Sequence, residues 1–315
     1  MIAVPARRKK NFFQRYIKPY WYIYVMLLPA LVTLAIFSYA PMPGVLLAFK
    51  KYSARRGIWG SNWVGLKNFR MLFSYAAFGK ALKNTLLISC GRLLLEFPAS
   101  VVMALLLNEV RHEKLRKGLQ TVFTFPHFLS WVIVAGILKN ILRLDGMLNA
   151  ALQTLGLIGE PIAFMSTPSM FRGILYVTDI WKEVGWSSII FMAAIAGVDE
   201  QLYEAALMDG ANRFQQTLHV TLPGIAGTVA IMFILQVGGL LNAGFDQIFN
   251  LRNAVVADEA NILDTYIYDM TFSSSPDYGF SAAIGLFKSV IGLVLILLAD
   301  RFSFAVTGQG IYAVK

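Results

Sequence analysis

Charged side chains are scarce in this chain of 315 residues. They make up 15% of the sequence, whereas 57% of the residues are hydrophobic and the mean hydropathy is +0.59. Soluble domains carry roughly 25% charged residues. A chain with so few charges exposes much of its surface to hydrocarbon, which argues against a soluble domain built around one large core. The composition therefore predicts a membrane protein.

Cysteine and the common catalytic motifs are lacking as well. The single cysteine, Cys90, excludes an intrachain disulfide and a cysteine-based metal cluster. No G-x-x-x-x-G-K-[ST] phosphate loop occurs, so the chain is not expected to hydrolyse ATP by itself. No H-E-x-x-H or G-x-S-x-G pattern occurs either. We therefore predict no enzyme activity, no catalytic residue, no metal site and no cofactor in this chain.

Acidic residues are fewer than basic ones, which gives a formal net charge of +10. No basic helix interleaved with aromatic residues is found, so a nucleic-acid partner is not predicted. Many Lys and Arg residues instead flank apolar runs, where they fix the orientation of a membrane protein. The first outside loop departs from this rule, because it contains six bases: Lys50, Lys51, Arg55, Arg56, Lys67 and Arg70.

Six apolar stretches are long enough to cross a hydrocarbon layer of about 30 Å. They predict an all-α polytopic membrane protein with about six transmembrane helices. The second, third and fourth of these spans also contain ionisable residues. The predicted spans are 21–40, 82–107, 119–142, 171–197, 224–245 and 279–302.

The ends of the chain differ from this transmembrane domain, which we place at 20–305. Residues 1–19 combine bases with aromatic residues at near-helical spacing, which predicts an interfacial helix on the cytoplasmic side. The first apolar run lacks a small-residue cleavage site, so it is not interpreted as a removable signal peptide. The segment 306–315 is predicted to be a cytoplasmic tail, and the balance of basic residues favours a cytoplasmic N-terminus.

The segment 199–223, between the fourth and fifth spans, contains the most specific pattern in the chain. Residues 200–208 favour a helix with an apolar patch, and Gly210 suits the position after a helix end, where φ can be positive. Residues 211–219 favour a second short helix, and Pro223 permits a further helix to begin there. Two short helices at a sharp angle would form a compact knob between the spans.

This segment resembles the conserved loop of binding-protein-dependent ABC importer permeases. Glu204-Ala205-Ala206 is followed after three residues by Gly210, and then after nine residues by Val220-Thr221-Leu222-Pro223, with Val220 in place of the usual isoleucine. The resemblance implies a cytoplasmic coupling helix that docks in a cleft of an ATPase subunit. The residues implied in this coupling are Glu204, Ala205, Ala206, Asp209, Gly210, Leu222 and Pro223.

The same resemblance implies the partners and the location of the protein. The expected partners are a second homologous permease, two ATPase subunits that bind ATP and Mg²⁺, an extracellular or periplasmic solute-binding protein, and the lipid of the bacterial inner membrane. Gly60-Ser61-Asn62-Trp63 and the six residues after it are similar to the maltose-type carbohydrate permeases. Asn84-Thr85, the loop 149–161 and the stretch 285–289 are similar to permeases for polysaccharides or complex oligosaccharides.

The function implied is oligosaccharide import by alternating access. The alternative is a stand-alone secondary transporter that uses the charged residues inside its spans as an ion relay. Transporters of that class tend to have inverted repeats and helices broken at matching positions, and we find no internal repeat. The sequence leaves open whether the saccharide is acidic, because the bases of the first outside loop could equally contact lipid or the binding protein.

Charged residues inside the second span have two interpretations. Arg92 and Glu96 are four residues apart and therefore lie on one helix face. They are expected to form an ion pair within the helix, or else a polar patch that faces the translocation path.

The fourth span contains a second group of polar residues. Asp179, Lys182 and Glu183 share a helix face on which Lys182 could neutralise the carboxylates, while Trp181 points elsewhere. Lining of the translocation path and bonding within the protein are equally expected. At the outer end of the fifth span, Asn242 and Asp246 are predicted to lie one turn apart, either as contacts of the sugar or binding protein or as a solvated cap.

Overall fold

The structure of the protein is a computed structural model that describes residues 18–308, 310 and 311. The predicted interfacial helix at 1–19 lies outside the described residues except for residues 18 and 19, as do residues 309 and 312–315 of the predicted tail. In the described ranges the α-helices are α1 (Trp21–Leu34), α2 (Gly57–Gly60), α3 (Lys67–Ser74), α4 (Ala76–Asn108), α5 (Glu113–Thr124), α6 (Trp131–Ile141), α7 (Met147–Thr154), α8 (Pro168–Ile195), α9 (Glu200–Met208), α10 (Arg213–Gln216), α11 (Leu222–Gly224), α12 (Ala226–Gly238), α13 (Phe245–Leu251), α14 (Ala257–Ala260), α15 (Leu263–Thr271) and α16 (Tyr278–Thr307).

Short segments of other structure connect these helices. Two strands, β1 (Lys50–Lys51) and β2 (Asn62–Trp63), pair antiparallel with Lys50 opposite Trp63. The 3₁₀ segments are Lys18–Tyr20, Met42–Phe49, Phe125–Phe128 and Phe164–Ser166, and the π-helical segments are Ala35–Tyr39 and Thr217–Thr221. The predicted all-α membrane fold is confirmed.

Three helical runs of the described residues are long and apolar enough to cross a membrane. They are Trp21–Phe49, Ala76–Asn108 and Tyr278–Ala305, which match the first, second and sixth predicted spans. The predicted fourth span corresponds to α8, which has 28 residues but more charges than an apolar span normally carries. The total of six transmembrane helices remains a prediction.

The third and fifth predicted spans are bent rather than straight. The run Glu113–Phe128 meets α6 at 96°, and the run Arg213–Gly224 meets α12 at 62°. In the first pair, Leu129 is extended and the side chain of Ser130 accepts a hydrogen bond from the N–H of Ile133, so a new helix begins there. Hydropathy along the sequence cannot detect this bend, because it reports the polarity of the residues and not the direction of the backbone.

The helices α4 and α8 form the centre of the packed region. The hydroxyl of Tyr176 on α8 donates a hydrogen bond to the carbonyl of Leu87 on α4 at 3.1 Å. From α4, Asn84 donates to the carbonyl of Asp258, and Thr85 accepts from the N–H of Leu263. These bonds connect α4 to α14 and α15, which lie far from it in sequence. By contrast, α1 has no buried residue within the described chain.

Candidate functional site

The segment 199–223, here called the coupling segment, begins with a well-capped helix. The carboxylate of Asp199 accepts a hydrogen bond from the N–H of Gln201 at 3.0 Å, which satisfies one of the free donors at the start of α9. At its end, the N–H of Gly210 bonds to the carbonyl of Leu207 and that of Ala211 bonds to Ala206. This is a Schellman motif, and Gly210 takes the required positive φ of 80°.

The second arm of the coupling segment, which begins at α10, is held in place by hydrogen bonds from its own side chains. Asn212 and Gln215 form a capping box at the start of α10. The buried side chain of Gln216 donates to the carbonyl of Ala211 at 3.0 Å. The hydroxyls of Tyr203 and Thr221 lie 2.9 Å apart and connect the two arms. Every part of the knob is therefore hydrogen-bonded within itself, and the predicted pair of short helices is present.

Pro223 lies in the first turn of α11, which agrees with the expectation that a helix can begin there. The helical run Arg213–Gly224 is nevertheless continuous through this position. A proline ring crowds the preceding turn of an α-helix and lacks an N–H. The π-helical segment Thr217–Thr221 directly before α11 widens that turn, with the N–H of Leu222 bonded to the carbonyl of Thr217. The bend follows at Ile225, between this run and α12.

The coupling segment presents an apolar surface to its surroundings. Met208 is 88% exposed, Phe214 is 75% exposed and Leu207 is 65% exposed. Contiguous exposed apolar side chains on a rigid element typically mark a protein–protein contact. Of the predicted coupling residues, Ala206 and Leu222 are half-buried, and those exposed are Glu204, Ala205, Asp209, Gly210 and Pro223.

A second site lies inside the membrane-spanning region, where Arg92 joins three helices. Its Nε lies 3.3 Å from the carboxylate of Asp179 on α8, and its guanidinium also donates to the side-chain oxygen of Gln247 on α13. The amide of Gln247 then donates to the carbonyl of Leu175 at 2.9 Å and to the hydroxyl of Thr178 at 2.8 Å. We call Arg92, Asp179, Gln247 and Thr178 the charge network.

This network corrects the expected pairing within the second span. The recorded ion pair of Arg92 is with Asp179 on another helix and not with Glu96 one turn away. Asp179 faces α4 and is buried, so its charge requires a cation at close range. Glu96 lies beside Asp179 within hydrogen-bonding range. The sequence places Gln247 near the outer end of the fifth span, but nothing in its local pattern indicates that it is buried and bonded to α4 and α8.

The other polar residues of α8 form a separate cluster. The ammonium of Lys182 lies 3.0 Å from Glu183 and donates to the carbonyl of His127 at 2.7 Å. The ring Nδ1 of His127 lies 2.6 Å from Glu183, and its ring stacks on Trp186 at 4.4 Å between centroids. Lys182 thus neutralises Glu183 rather than Asp179, and the cluster ties α8 to the break in the third span. Trp181 is half exposed and lies outside the cluster.

Asn242 and Asp246 do not share a helix as predicted. The helix α12 ends at Gly238, and α13 begins only at Phe245, after Gly244 with φ of 78°. A side chain at Gly244 would overlap the guanidinium of Arg92, so only glycine permits this close approach. Asp246 is exposed in the first turn of α13. Asn242 instead lines a small cavity of 90 Å³ together with Arg92, Glu96 and Gln236.

Comparison with known proteins assigns the family. Residues 96–308 match the family described as the binding-protein-dependent transport system inner membrane component. Protein LplB of Bacillus subtilis is 42% identical over 92% of this chain and 91% of its own length. The polygalacturonan/rhamnogalacturonan transport system permease protein YteP of Bacillus subtilis is also 42% identical, over 92% of this chain and 90% of its own length.

A solved structure shows the same fold. It is the crystal structure of a bacterial alginate ABC transporter in complex with an alginate pentasaccharide-bound periplasmic protein. One of its chains superposes with a TM-score of 0.86 and 36% sequence identity, covering 96% of this chain and 100% of that chain. The alternative of a stand-alone ion-coupled transporter is therefore not supported. The chain belongs to the inner-membrane components of binding-protein-dependent transport systems, and it is a permease subunit of an ABC importer.

Proposed function

We propose that this permease imports acidic oligosaccharides. Two independent likenesses support this substrate class. One is the similarity over nearly the whole chain to a permease named for polygalacturonan and rhamnogalacturonan, and the other is the similarity to the alginate importer. Alginate and polygalacturonan are both built from uronic acids, whose carboxylates require cationic or hydrogen-bonding partners along the path.

The proposed assembly contains two permeases, two ATPase subunits and one solute-binding protein outside the membrane. ATP and Mg²⁺ bind to the ATPase subunits. The N- and C-termini and the coupling segment lie on the cytoplasmic side of the inner membrane, in agreement with the distribution of basic residues. The outer face then contains the loop 143–167 and the helices α13 to α15, which receive the loaded binding protein.

The observation that carries the mechanism is the combination of stiffness and exposure in the coupling segment. Both of its arms are capped and bonded to each other, and its projecting side chains are apolar. Closure of the ATPase pair pushes on this knob. Because the run Arg213–Gly224 is joined to α12 through the single residue Ile225, at a bend of 62°, the push reaches the transmembrane helices and alternates access to the path.

A substitution of Gly210 tests this mechanism. Gly210→Val places a β-branched residue at a φ of 80°, where a branched side chain is strongly disfavoured. We expect the reconstituted importer to hydrolyse ATP while its uptake falls at least about tenfold, since a loosened knob transmits less of the push. Gly210→Asn is the matched control, because asparagine tolerates this conformation. Uptake by Gly210→Val equal to the wild type would contradict the mechanism.

The substrate class is tested by stimulation of the ATPase. The wild-type importer in proteoliposomes, with its binding protein, is given uronate oligosaccharides or neutral oligosaccharides of equal length. We expect the uronates to stimulate ATP hydrolysis and uptake and the neutral sugars not to do so. Stimulation by neutral sugars alone would overturn the assignment to acidic substrates but not the assignment to the importer family.

A further inference from the structure

A second, larger cavity lies on the other side of the fifth span from Arg92. It encloses 490 Å³ between α12, α15 and α16, within the range of small-molecule binding sites. Glycines at 238, 285 and 292 line it. A side chain at Gly285 would have open space, whereas one at Gly238 would meet Ile296 and one at Gly292 the carbonyl of Gly238, so these two let α12 and α16 pack closely. Asn242 lines both this cavity and the small one beside Arg92. Asn242, which follows the end of α12, therefore lies between the two cavities.

The polar lining of this cavity is centred on an ion pair. The ammonium of Lys288 on α16 binds the carboxylate of Asp264 at the start of α15. Lys288 lies inside the apolar helical run Tyr278–Ala305, where charged groups are costly and usually face a path or each other. An ammonium has three N–H donors, and Asp264 is the one partner recorded for Lys288 among the described residues. The ammonium of Lys288 therefore has further N–H donors that can point into the cavity.

We propose that this cavity is a subsite for the transported saccharide, in which Lys288 contacts a uronate carboxylate. Asp264 and Asn242, which line the same cavity, form hydrogen bonds with ring hydroxyls of the bound sugar. The carboxylate of the sugar joins that of Asp264 at the ammonium of Lys288, which retains N–H donors for it. The negative charge that this adds to the neutral pair is screened by water, since neither side chain of the pair is fully buried. This inference rests on the proposed function and adds the residues that recognise the acid.

The first experiment compares an acid with its neutral ester. Uronate oligosaccharides and their methyl esters of the same length are supplied in excess over the binding protein, and uptake by the reconstituted importer is measured. We expect Lys288→Met to reduce uptake of the acid about tenfold relative to the ester, which is the loss of one charge-assisted contact. Lys288→Arg retains the cation and should retain the preference. Equal loss for both sugars, or no loss, overturns the subsite.

A charge exchange separates recognition from a purely structural ion pair. The double variant Asp264→Lys with Lys288→Asp preserves the pair but reverses its position in the cavity. A structural pair would be rescued, with normal assembly and normal preference for the acid. We expect normal assembly without the preference. The exposed pair of Lys80 and Asp258, exchanged in the same way, is the control and should leave the uptake ratio unchanged.

Protection from chemical modification gives a readout that does not depend on turnover. In a Cys90→Ser background, Ser289→Cys places a thiol on the cavity wall, while Ser273→Cys places one on the exposed segment after α15. With binding protein present throughout, a uronate oligosaccharide should slow modification of Ser289→Cys by a water-soluble thiol reagent, whereas its neutral methyl ester should not. Ser273→Cys, directly after α15 on the proposed docking face, reports any shielding by the docked binding protein alone. Equal rates with and without the saccharide contradict the proposal. A wild-type importer that no saccharide stimulates would instead contradict the proposed function itself.

Discussion

The coupling segment and the charge network are built in opposite ways. The bonds of the coupling segment join residues close in sequence, such as Asn212 with Gln215, three positions apart, and Tyr203 with Thr221, 18 apart. In the charge network, Arg92 and Gln247 are 155 positions apart. The first is an exposed, self-contained unit, whereas the second exists only when three helices have packed. This difference teaches that the surface proposed to contact the ATPase can be encoded locally, while the network inside the membrane depends on the packing of the whole fold.

The largest expected effect comes from breaking the charge network. Asp179→Leu leaves the buried guanidinium of Arg92 without its carboxylate, which we expect to cost about 3–5 kcal/mol. The measurement is the thermal unfolding midpoint of the purified importer. Arg92→Leu combined with Asp179→Leu removes both charges and should recover most of the loss. A single variant as stable as the exposed-pair variant Asp258→Asn would contradict the special cost of burial.

Two of the glycines with positive φ allow a direct comparison of the coupling segment with the charge network. Gly244 has φ of 78° and Gly210 has φ of 80°. A side chain at Gly244 meets the guanidinium of Arg92, but one at Gly210 meets nothing within 4 Å. We expect Gly244→Ala to destabilise the protein by about 2 kcal/mol or more and Gly210→Ala by only about 1 kcal/mol. Equal shifts of the unfolding midpoint in the two variants would show that the atoms around each glycine do not determine the cost of its substitution.

A smaller and more local effect is expected within the coupling segment. Asn212→Ala removes the capping box and should cost about 1 kcal/mol of local stability. The measurement is amide hydrogen exchange, which should become faster in the first turn of α10 while α4 and α8 are unchanged. Faster exchange throughout the transmembrane helices would mean that the segment is not the self-contained unit described above.

The smallest effect on stability is expected at the exposed surface. Met208→Ser alters a side chain that is 88% exposed. The free energy of unfolding of the isolated permease should therefore change by no more than about 0.5 kcal/mol. Co-purification of the ATPase subunits should nevertheless decrease, because apolar area at the proposed contact is lost. An unchanged yield of the ATPase would place the contact elsewhere on the knob.

Some features of the candidate sites could be predicted because they depend on short spacing. The cap at Asp199, the helix end at Gly210 and the pair of arms follow from residue types within a few positions of each other. The π-helical turn before Pro223 was not expected, because the sequence has no clear indication of such a turn. The partner of Arg92 was misjudged, because spacing along one helix cannot reveal a carboxylate on another.

By itself, the sequence determined that this chain is an all-α membrane protein of the ABC importer permeases. Apolar run length and the fixed identities in the segment 199–223 are properties of neighbouring residues, so they need no folded structure to be read. Only the tertiary structure decided that two predicted spans are bent, that Asn242 and Asp246 lie on different elements, and that Lys288 faces a cavity with Asp264. These features arise when distant helices pack, since burial forces each charge to find a partner across the interface.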